Sequence, residues 1–470
     1  MPARGWAALL LMITVGELPA MGFVLVTPAL TDIATRFGTG QSVWVMTAYS
    51  LGGTVTVPLM SKLGDIYGRR QLIVICSVVS AVGAFGAAVA PAFGMLVAAR
   101  FVQGAGFAIV PLSFALVRAT FPPRIRALSV GAISAGAGIA GAVGPVLAGQ
   151  LIDNGGYRAV FWAAAVVPII MVPLVWGLVG ESDRQPDARV DLIGALWLAV
   201  SAAAVLLAIS NGGTWGWLSA RCLGLLATAL VAALVFIHRE LRVAYPLIDM
   251  RLLSGRGVLP ICVSGCAFQA TIATIAVLIP MMLMTPAELV PHYGRGLTAT
   301  EVAAFTTPGN VVTLIAGFLA GRYMRSGSIR GTMTAGSAVL AVATVALVFW
   351  HGSAAGLVLG YCLLGVGGGM MLASTPLAVL TAAPARSQAI AAGSVNMLQS
   401  LGSTAGLQAA FAILAMFPLA DSGTAPLYTG TGYDVTLLYA AGLAIVAGIA
   451  ASLWRPVPVA TGRPPASMST

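Results

Sequence analysis

The stretch from residue 61 to residue 70 reads Ser61-Lys62-Leu63-Gly64-Asp65-Ile66-Tyr67-Gly68-Arg69-Arg70. It places four charges and two glycines between two long apolar runs, in a chain of which only 8% is charged. Bilayer hydrocarbon cannot hydrate these charges, and it does not tolerate the exposed backbone of a loop. We therefore expect residues 61–70 to form a polar turn at a membrane surface, between two transmembrane helices.

The composition of the whole chain agrees with this expectation. Hydrophobic residues make up 59% of the 470, and the mean hydropathy is +0.96. Soluble domains are about half apolar and about one quarter charged. The sequence thus predicts a multi-pass protein of the cell membrane, in contact with lipids. The apolar run from Trp6 begins too early and continues too far for a cleaved secretory signal, so we interpret it as a span.

Three other classes of function are disfavoured. The net charge of +10 comes from basic residues in short loops, which is the positive-inside pattern of membrane proteins and not a nucleic-acid surface. The five cysteines lie in apolar runs without metal-ligand spacing, and the three histidines fall in loops or at span ends. No nucleotide-binding motif or catalytic constellation is present. We expect no metal, no cofactor and no enzymatic activity.

A span needs about 20 apolar residues, and we predict 14 transmembrane helices in an all-α fold. They cover approximately residues 6–30, 42–61, 71–91, 93–117, 127–151, 158–180, 191–211, 217–237, 257–284, 299–320, 329–350, 354–378, 387–417 and 433–454.

The basic residues predict the orientation of these spans. With the N-terminus in the cytoplasm, all but five of the 24 lysines and arginines lie on the cytoplasmic side, and the C-terminus returns there as well. We call the face that carries residues 61–70 the inner face, and the opposite face the outer face. The exceptions are Arg36, Arg100, Arg158, Arg221 and Arg295.

A weak internal repeat predicts the domain organisation. Gly317-Phe318-Leu319-Ala320-Gly321-Arg322 resembles a degraded copy of residues 61–70, as expected for two halves related by a parallel repeat. Between the halves lie two extra spans, joined by Asn211-Gly212-Gly213-Thr214. We predict a six-helix bundle over 1–180, a linker with the two extra helices over 181–256, a second six-helix bundle over 257–454 and a disordered cytoplasmic tail over 455–470.

Four further motifs accompany residues 61–70. Span four contains Arg100-Phe101-Val102-Gln103-Gly104, and span five contains Gly141-Ala142-Val143-Gly144-Pro145-Val146-Leu147-Ala148-Gly149. Tyr157-Arg158-Ala159-Val160-Phe161-Trp162 opens span six, and span thirteen contains Asn396-Met397-Leu398-Gln399-Ser400-Leu401-Gly402.

Together these motifs resemble those of the major facilitator superfamily. Its signature loop is glycine-x-leucine-alanine-aspartate-x-x-glycine-arginine-arginine/lysine, from which Ser61 and Gly64 depart. The span-five motif is similar to that of the exporters, and the fourteen-span layout is similar to the fourteen-spanner drug:proton antiporters. The resemblance implies two six-helix bundles around a central cavity and transport driven by a proton gradient.

Two positions depart from the drug exporters. They usually have an aspartate in span one where Gly22 stands, and an arginine where Gln399 stands. The fourteen-span peptide transporters usually carry a glutamate-x-x-glutamate-arginine cluster in span one, whereas here Glu17 stands alone. The peptide-transporter resemblance is therefore disfavoured, and the acid of span one resembles that of some twelve-spanner exporters.

Glu17 and Arg100 are the candidates for proton coupling. Glu17 lies ~16 Å into a core of about 30 Å, and a carboxylate at that depth usually marks an ion or substrate path. Arg100 lies about 10 Å from the outer boundary of span four. The resemblance implies that both spans line the cavity, so we expect Arg100 to tune Glu17. Two alternatives remain: Glu17 as a permanently paired structural acid, and Arg100 as a ligand of backbone carbonyls or of another group.

Other residues are assigned to gating and packing. We expect Asp65, with Arg69 and Arg70, to form gate contacts that stabilise one of two states, with Asp65 at the positive end of the span-three helix. A topology signal is the alternative role of the two arginines. The small residues of span five predict a seam for close helix packing, on which the halves rock. The seam residues are Gly141, Gly144, Pro145 and Gly149, with the stripe of Gly402, Gly406 and Ala410 expected at the matching place in the second half.

Polar amides and large adaptable side chains inside the spans are candidates for the substrate cavity, with ordinary helix packing as the alternative. They are Met21, Trp44, Tyr49, Gln103, Phe107, Phe268, Gln269, Asn310, Asn396 and Gln399.

The leading functional hypothesis is a monomeric proton-coupled antiporter that exports drugs, antibiotics or amphipathic metabolites by alternating access. Its partners are a small-molecule substrate and protons. An importer or facilitator of a small polar nutrient is the first alternative, and it requires a more polar cavity. A membrane sensor or scaffold without turnover is the second.

Overall fold

Long apolar runs cross a membrane as helices, because lipid offers no partner for the backbone polar groups. The computed structural model of the chain describes residues 3–182, 191–243, 257–287, 293–324, 326–382, 388–419 and 427–455. These residues are almost entirely helical, apart from connections and one isolated bridge between Pro418 and Tyr428. The prediction of an all-α fold is confirmed.

The first half begins with two short helices that together form span one and a third that lies beyond it. A 3-10 turn, Gly104–Ala108, joins α6 to α7 within span four. The helices are α1 (Ala3–Gly16), α2 (Leu18–Val24), α3 (Leu30–Phe37), α4 (Trp44–Tyr67), α5 (Arg69–Val89), α6 (Phe93–Gln103), α7 (Ile109–Thr120) and α8 (Pro123–Leu178).

Helix α8 contains both predicted spans five and six. It is broken at Gly156, whose φ of 66° lies in the left-handed region. Such a backbone conformation is readily adopted only by glycine.

The extra pair and the second half follow. The extra helices are α9 (Leu192–Trp215) and α10 (Ala220–Glu240), and the second half comprises α11 (Leu259–Met284), α12 (Ala299–Tyr323), α13 (Ile329–Trp350), α14 (Ala354–Ala382), α15 (Gln388–Leu414) and α16 (Gly430–Leu453). The predicted tail beyond residue 455 and most of the linker (183–190 and 244–256) lie outside the described residues.

Eleven helices in the described part of the chain are long and apolar enough to cross a membrane, one of them being the part of α8 that runs through its break. Helices α4 and α15, which are rich in Gly, Ser and Thr, are not among these eleven. The chain is therefore a multi-pass membrane protein.

Two predicted polar turns are much shorter than expected. Helix α4 continues through Tyr67 and α5 begins at Arg69, so only Gly68 leaves helical geometry, with a φ of 109°. Helix α9 likewise continues through residues 211–214 and ends at Trp215, before Gly216, which has a φ of 83°. A helix pairs its own backbone groups outside lipid as well as inside. It can therefore extend beyond the membrane boundary to a residue that adopts positive φ.

The two halves meet at the outer face. One apolar cluster there combines residues of the first half, such as Ile33 and Phe161, with Val277 and Leu407 of the second. The apolar cluster at the inner face of the first half, around Leu112, contains residues of that half alone. In the described part of the chain, the hydrogen bonds between the halves also lie at the outer face.

Helix α9 packs against both halves. The indole N–H of Trp44 on α4 donates to the hydroxyl of Ser210 at 2.7 Å. Leu51 on α4, Leu206 on α9 and Leu401 on α15 share a small apolar cluster. The extra pair therefore lies along the line where α4 and α15 approach each other.

Candidate functional site

Glu17 lies in a break of span one. Helix α1 ends at Gly16 and α2 begins at Leu18, and Pro19 has no N–H to donate to the carbonyl of Val15. Glu17 is half-buried, and its Oε2 atom is buried without a hydrogen-bond partner. No ion pair among the described residues includes it. A carboxylate in such a place can be neutralised by a proton or by a cation that enters the protein.

Arg100 is completely buried and joins spans one, two and four. Its guanidinium donates to the carbonyl of Gly22 at 3.1 Å, to the carbonyl of Val45 at 3.0 Å and to Oε1 of Gln103 at 2.7 Å. The guanidinium carbon lies 4.0 Å from the centroid of the Tyr49 ring. Gly22 is in the last turn of α2, where carbonyls lack helical partners, so Arg100 caps that helix. These contacts compensate for the buried charge.

Glu17 and Arg100 do not form a hydrogen bond or an ion pair with each other in the described part of the structure. Gly22, whose carbonyl binds Arg100, lies about 7 Å beyond Glu17 along the helix, toward the outer face. The contacts of Arg100 match the alternative in which it holds backbone carbonyls. Tuning of Glu17 by Arg100 stays a prediction that no contact in this conformation supports.

The place of the missing span-one aspartate is filled by Tyr49. A Cβ atom on Gly22 would lie 2.5 Å from the hydroxyl oxygen of Tyr49 and 2.9 Å from its Cζ. That hydroxyl donates to the carbonyl of Pro19 at 2.9 Å. A carboxylate side chain at position 22 therefore requires Tyr49 to move.

The gate residues contact their own half. Asp65 lies in the last turn of α4, and its Oδ1 accepts from the guanidinium of Arg69 at 2.8 Å. Arg69 also donates to the carbonyl of Ala115 on α7, and Arg70 donates to the carbonyls of Trp176 and Val179 at the end of α8. Among the described residues Asp65 has no partner in the second half.

The carboxylate at the positive end of α5 is that of Glu181, which corrects the position expected for Asp65. Its two oxygens accept from the backbone N–H of Arg70 at 2.9 Å and of Gln71 at 3.2 Å. A Cβ on Gly68 would lie 2.6 Å from the Glu181 carboxyl carbon. Sequence reasoning missed this role, because Glu181 reads as the first acid of a polar linker. The sequence signal for this contact is weak, because it consists only of Gly68 before α5 and of Glu181 after the end of α8.

The small residues of span five contact two different partners. A Cβ on Gly144 would lie 2.6 Å from Val24 of span one, whereas a Cβ on Gly149 would lie 2.5 Å from the backbone of Thr300 on α12. A Cβ on Gly141, two turns nearer the inner face, would meet no atom within 4 Å. The seam with the second half is therefore close-packed at Gly149.

The matching stripe of the second half packs within that half. Cβ atoms on Gly402 and Gly406 would lie 2.7 Å from the carbonyl of Cys266 and 2.3 Å from Ala270, both on α11. The arrangement parallels the contact of Gly144 with span one.

The cavity candidates divide into two groups. Tyr49, Gln103 and Phe268 are at most 2% exposed, so they pack inside the protein in this conformation and do not line an open cavity. Trp44 is engaged by α9. The remaining candidates, which stay predictions, are half-buried or exposed: Met21, Phe107, Gln269, Asn310, Asn396 and Gln399.

One further ion pair lies at the inner face of the extra helices. Asp191 caps the start of α9 by accepting from the N–H of Gly194 at 2.9 Å, and it pairs with Arg239 at 2.7 Å. Burial opposes ionisation of Asp191, but the hydrogen bonds from Arg239 and Gly194 outweigh it and hold the pKa below its ordinary 3.8. In the described residues no group of His, Cys, Asp and Glu has the arrangement of a metal site.

The fold is that of a multi-pass helical membrane protein with two packed halves, and among the described residues Oε2 of Glu17, in the first half, has no hydrogen-bond partner. Residues 18–407 match the family model described as Major Facilitator Superfamily. The chain belongs to the major facilitator superfamily, as its motifs predicted, and it is a transporter and not an enzyme.

Two relatives with named roles are similar over most of the chain. The multidrug resistance protein Stp of Mycobacterium tuberculosis is 30% identical over 400 residues, which cover 83% of this chain and 72% of that protein. A probable actinorhodin transporter of Streptomyces coelicolor is 26% identical over 456 residues, covering 94% and 77%. These relatives agree with the predicted drug-efflux group.

A solved structure shares the fold at low sequence identity. A bacterial homologue of the human lysosomal transporter Spinster, described as inward-facing and unoccupied, superposes with a TM-score of 0.64 at 14% identity. The match covers 97% of this chain and 96% of that structure.

Proposed function

We propose that the chain is a proton-coupled antiporter that exports small organic molecules by alternating access. The observation that carries the proposal is Glu17, a carboxyl within span one that has one buried oxygen without a hydrogen-bond partner. A relative named for multidrug resistance at 30% identity supports export of drugs or antibiotics, and the relative named for actinorhodin supports export of metabolites.

The proposed membrane arrangement has fourteen spans, with both termini in the cytoplasm. The eleven long apolar helices become fourteen when α8 is counted as two spans and α4 and α15 are added. The close contact at Gly149, the apolar cluster shared by both halves at the outer face and the inner cluster made of the first half alone support assignment of the structure to an inward-open state. In that state Glu17 is reached from the cytoplasm.

Glu17 exchanges a proton for substrate in this scheme. A cationic or amphipathic molecule that enters from the cytoplasm displaces the proton, because one carboxylate cannot be neutralised twice. After the halves rock, a proton from outside replaces the substrate and releases it. Arg100 keeps its bonds to Gly22 and Val45 throughout, so the first half moves as one body.

The test is transport by Glu17→Gln in inverted membrane vesicles with an imposed proton gradient. A panel of fluorescent dyes and antibiotics first identifies a substrate in cells with and without the protein. We expect gradient-driven uptake into the vesicles by the parent and less than about one tenth of that rate for Glu17→Gln, because the glutamine cannot exchange a proton.

Glu301→Gln is the matched control, because it makes the same chemical change in a carboxylate that caps α12 at the outer face. It should retain gradient-driven uptake. Full coupled transport by Glu17→Gln would contradict the proposal, and accumulation of the substrate in whole cells would indicate import instead.

A further inference from the structure

One carboxylate accepts two hydrogen bonds across the outer seam. Asp153, in the last turn of α8 before its break, accepts from the N–H of Ala299 at 3.3 Å and from the N–H of Thr300 at 3.1 Å. These are the first two N–H groups of α12, which have no partner inside their own helix. Asp153 belongs to the first half and α12 to the second.

The next N–H donor of α12, that of Glu301, has a partner within the same helix end. The hydroxyl of Thr298 accepts from the N–H of Glu301 at 3.3 Å, and the carboxylate of Glu301 accepts from the N–H of Thr298 at 2.8 Å. This capping box leaves Ala299 and Thr300 for an outside partner. The negative charge of Asp153 at the positive end of the helix strengthens the contact.

Gly149 brings α8 close enough for this contact. It lies one turn before Asp153, and a Cβ there would be 2.5 Å from Cα and 2.6 Å from N of Thr300. No real Cβ atom makes such a contact, so a side chain at position 149 must push the two helices apart. The close approach and the charged cap thus occupy the same end of the seam.

A carboxylate also caps a helix N-terminus beside a glycine inside the first half, where the contact does not have to break when the halves move. Glu181 caps the N-terminus of α5, and Gly68 makes room for it. Both of its partners move with the first half. Asp153 differs because its partner is in the second half, so its bonds must break whenever the outer face opens.

We propose that Asp153 is the latch of the outer gate, holding the outer face closed and leaving the start of α12 in every transport cycle. The proposal deepens the function given above and rests on its alternating access. A neutral contact between the halves on the other line of approach, from the Gln408 amide on α15 to the Thr47 hydroxyl on α4 at 2.9 Å, and the shared apolar cluster complete the closure.

The test is a distance measurement that requires no substrate or proton gradient. Spin labels are placed at Thr35→Cys and Ala355→Cys, which are exposed positions at the outer ends of the first and second halves. The five native cysteines are replaced, and double electron–electron resonance is recorded in lipid nanodiscs. We expect Asp153→Ala to raise the ratio of outer-open to outer-closed molecules about 5- to 30-fold, the effect of losing a strong helix cap. Asp153→Asn should raise it less, because its amide oxygen can still accept.

Thr298→Ala is the control, since it removes a cap from the same helix without touching the first half. It should lower thermal stability and leave the distance distribution unchanged. Gly149→Ala is an independent second variant that should shift the ratio in the same direction as Asp153→Ala, and it decides the question if the latter fails to fold.

The latch is overturned if Gly149→Ala and a folded Asp153→Ala keep the parent distances, or if Thr298→Ala shifts them equally. A shift with Asp153→Ala in a protein that exports nothing would leave the latch standing and reject only the proposed substrate and proton coupling.

Discussion

Arg100→Ala should lower the free energy of unfolding by about 3–5 kcal/mol, because buried acceptors lose their donor and a fully buried side chain is removed. The structure accounts for this magnitude. The substitution leaves the buried carbonyl of Gly22 and Oε1 of Gln103 without the guanidinium donor, at about 1–3 kcal/mol each, while the carbonyl of Val45, in the first turn of α4, keeps its helical partner. The ring of Tyr49 also loses the cation that it faces.

Arg100→Lys should lower the free energy of unfolding by roughly half as much as Arg100→Ala. An ammonium keeps the charge, but it lacks the planar fork that reaches three acceptors on three spans. The measurement is unfolding in mixed micelles of dodecyl maltoside and sodium dodecyl sulfate, followed by tryptophan fluorescence. The parent and both variants are compared at one protein concentration.

A double-mutant cycle then asks whether Arg100 acts on Glu17. The two side chains share no hydrogen bond or ion pair in the described part of the structure, so Glu17→Gln and Arg100→Lys should be additive within about 0.5 kcal/mol. Glu17→Gln alone should change stability little, because Oε2 of Glu17 has no hydrogen bond to lose. A coupling energy above about 1 kcal/mol, or an Arg100→Ala variant as stable as the parent, would refute this reasoning.

Two further predictions concern the inner face. Gly68→Ala should lower the free energy of unfolding by about 2–4 kcal/mol, because φ at Gly68 is 109° and the new methyl group would meet the carboxyl of Glu181. Gly224→Ala is the control, since a Cβ there meets open space. It should leave the stability unchanged or raise it in the same melts. Asp191→Asn should lower stability at pH 7 and remove an acid-dependent part of it. Because the pKa of Asp191 is lowered in the folded protein, its contribution is complete well above pH 3.8 and lost as the pH falls through the lower folded value. Thermal melts between pH 7 and pH 3 check this, and parallel curves for parent and variant would contradict it.

The fold could be predicted because two strong constraints meet in the sequence. Apolar runs must become helices in lipid, and residues 61–70 combine charges and glycines in a pattern typical of one superfamily. The helix ends were predicted less well. Nothing in Lys62 or Asp65 stops a helix, so α4 continues to Gly68, where the backbone adopts positive φ.

The site could be predicted only in part. Glu17 is conspicuous because an acid inside a span is rare, and Pro19 marks the break beside it. The partners of Arg100 are mainly backbone carbonyls, which leave no trace in a sequence. Depth along a span also says nothing about which way a side chain points. Asp153 carried a usable signal, since it continues the four-residue spacing of Gly141, Pro145 and Gly149, but its partner is a helix N-terminus that becomes visible only when the halves are packed.

The positions of the charged residues distinguish contacts that can persist within the first half from contacts between the halves that must break. Arg100 ties span one to spans two and four, and Arg70 with Glu181 ties α5 to the end of α8. All of these contacts lie within the first half, so rocking of the halves need not break them.

Protonation of Glu17 breaks no hydrogen bond at its Oε2, which has none. In the proposed cycle, its effect on the conformation acts through the balance between the halves. In the described part of the structure, the charged hydrogen bonds between the halves are those that Asp153 accepts. In the proposed cycle, a proton on Glu17 and the latch at Asp153 therefore act on the same equilibrium between conformations without sharing a hydrogen bond.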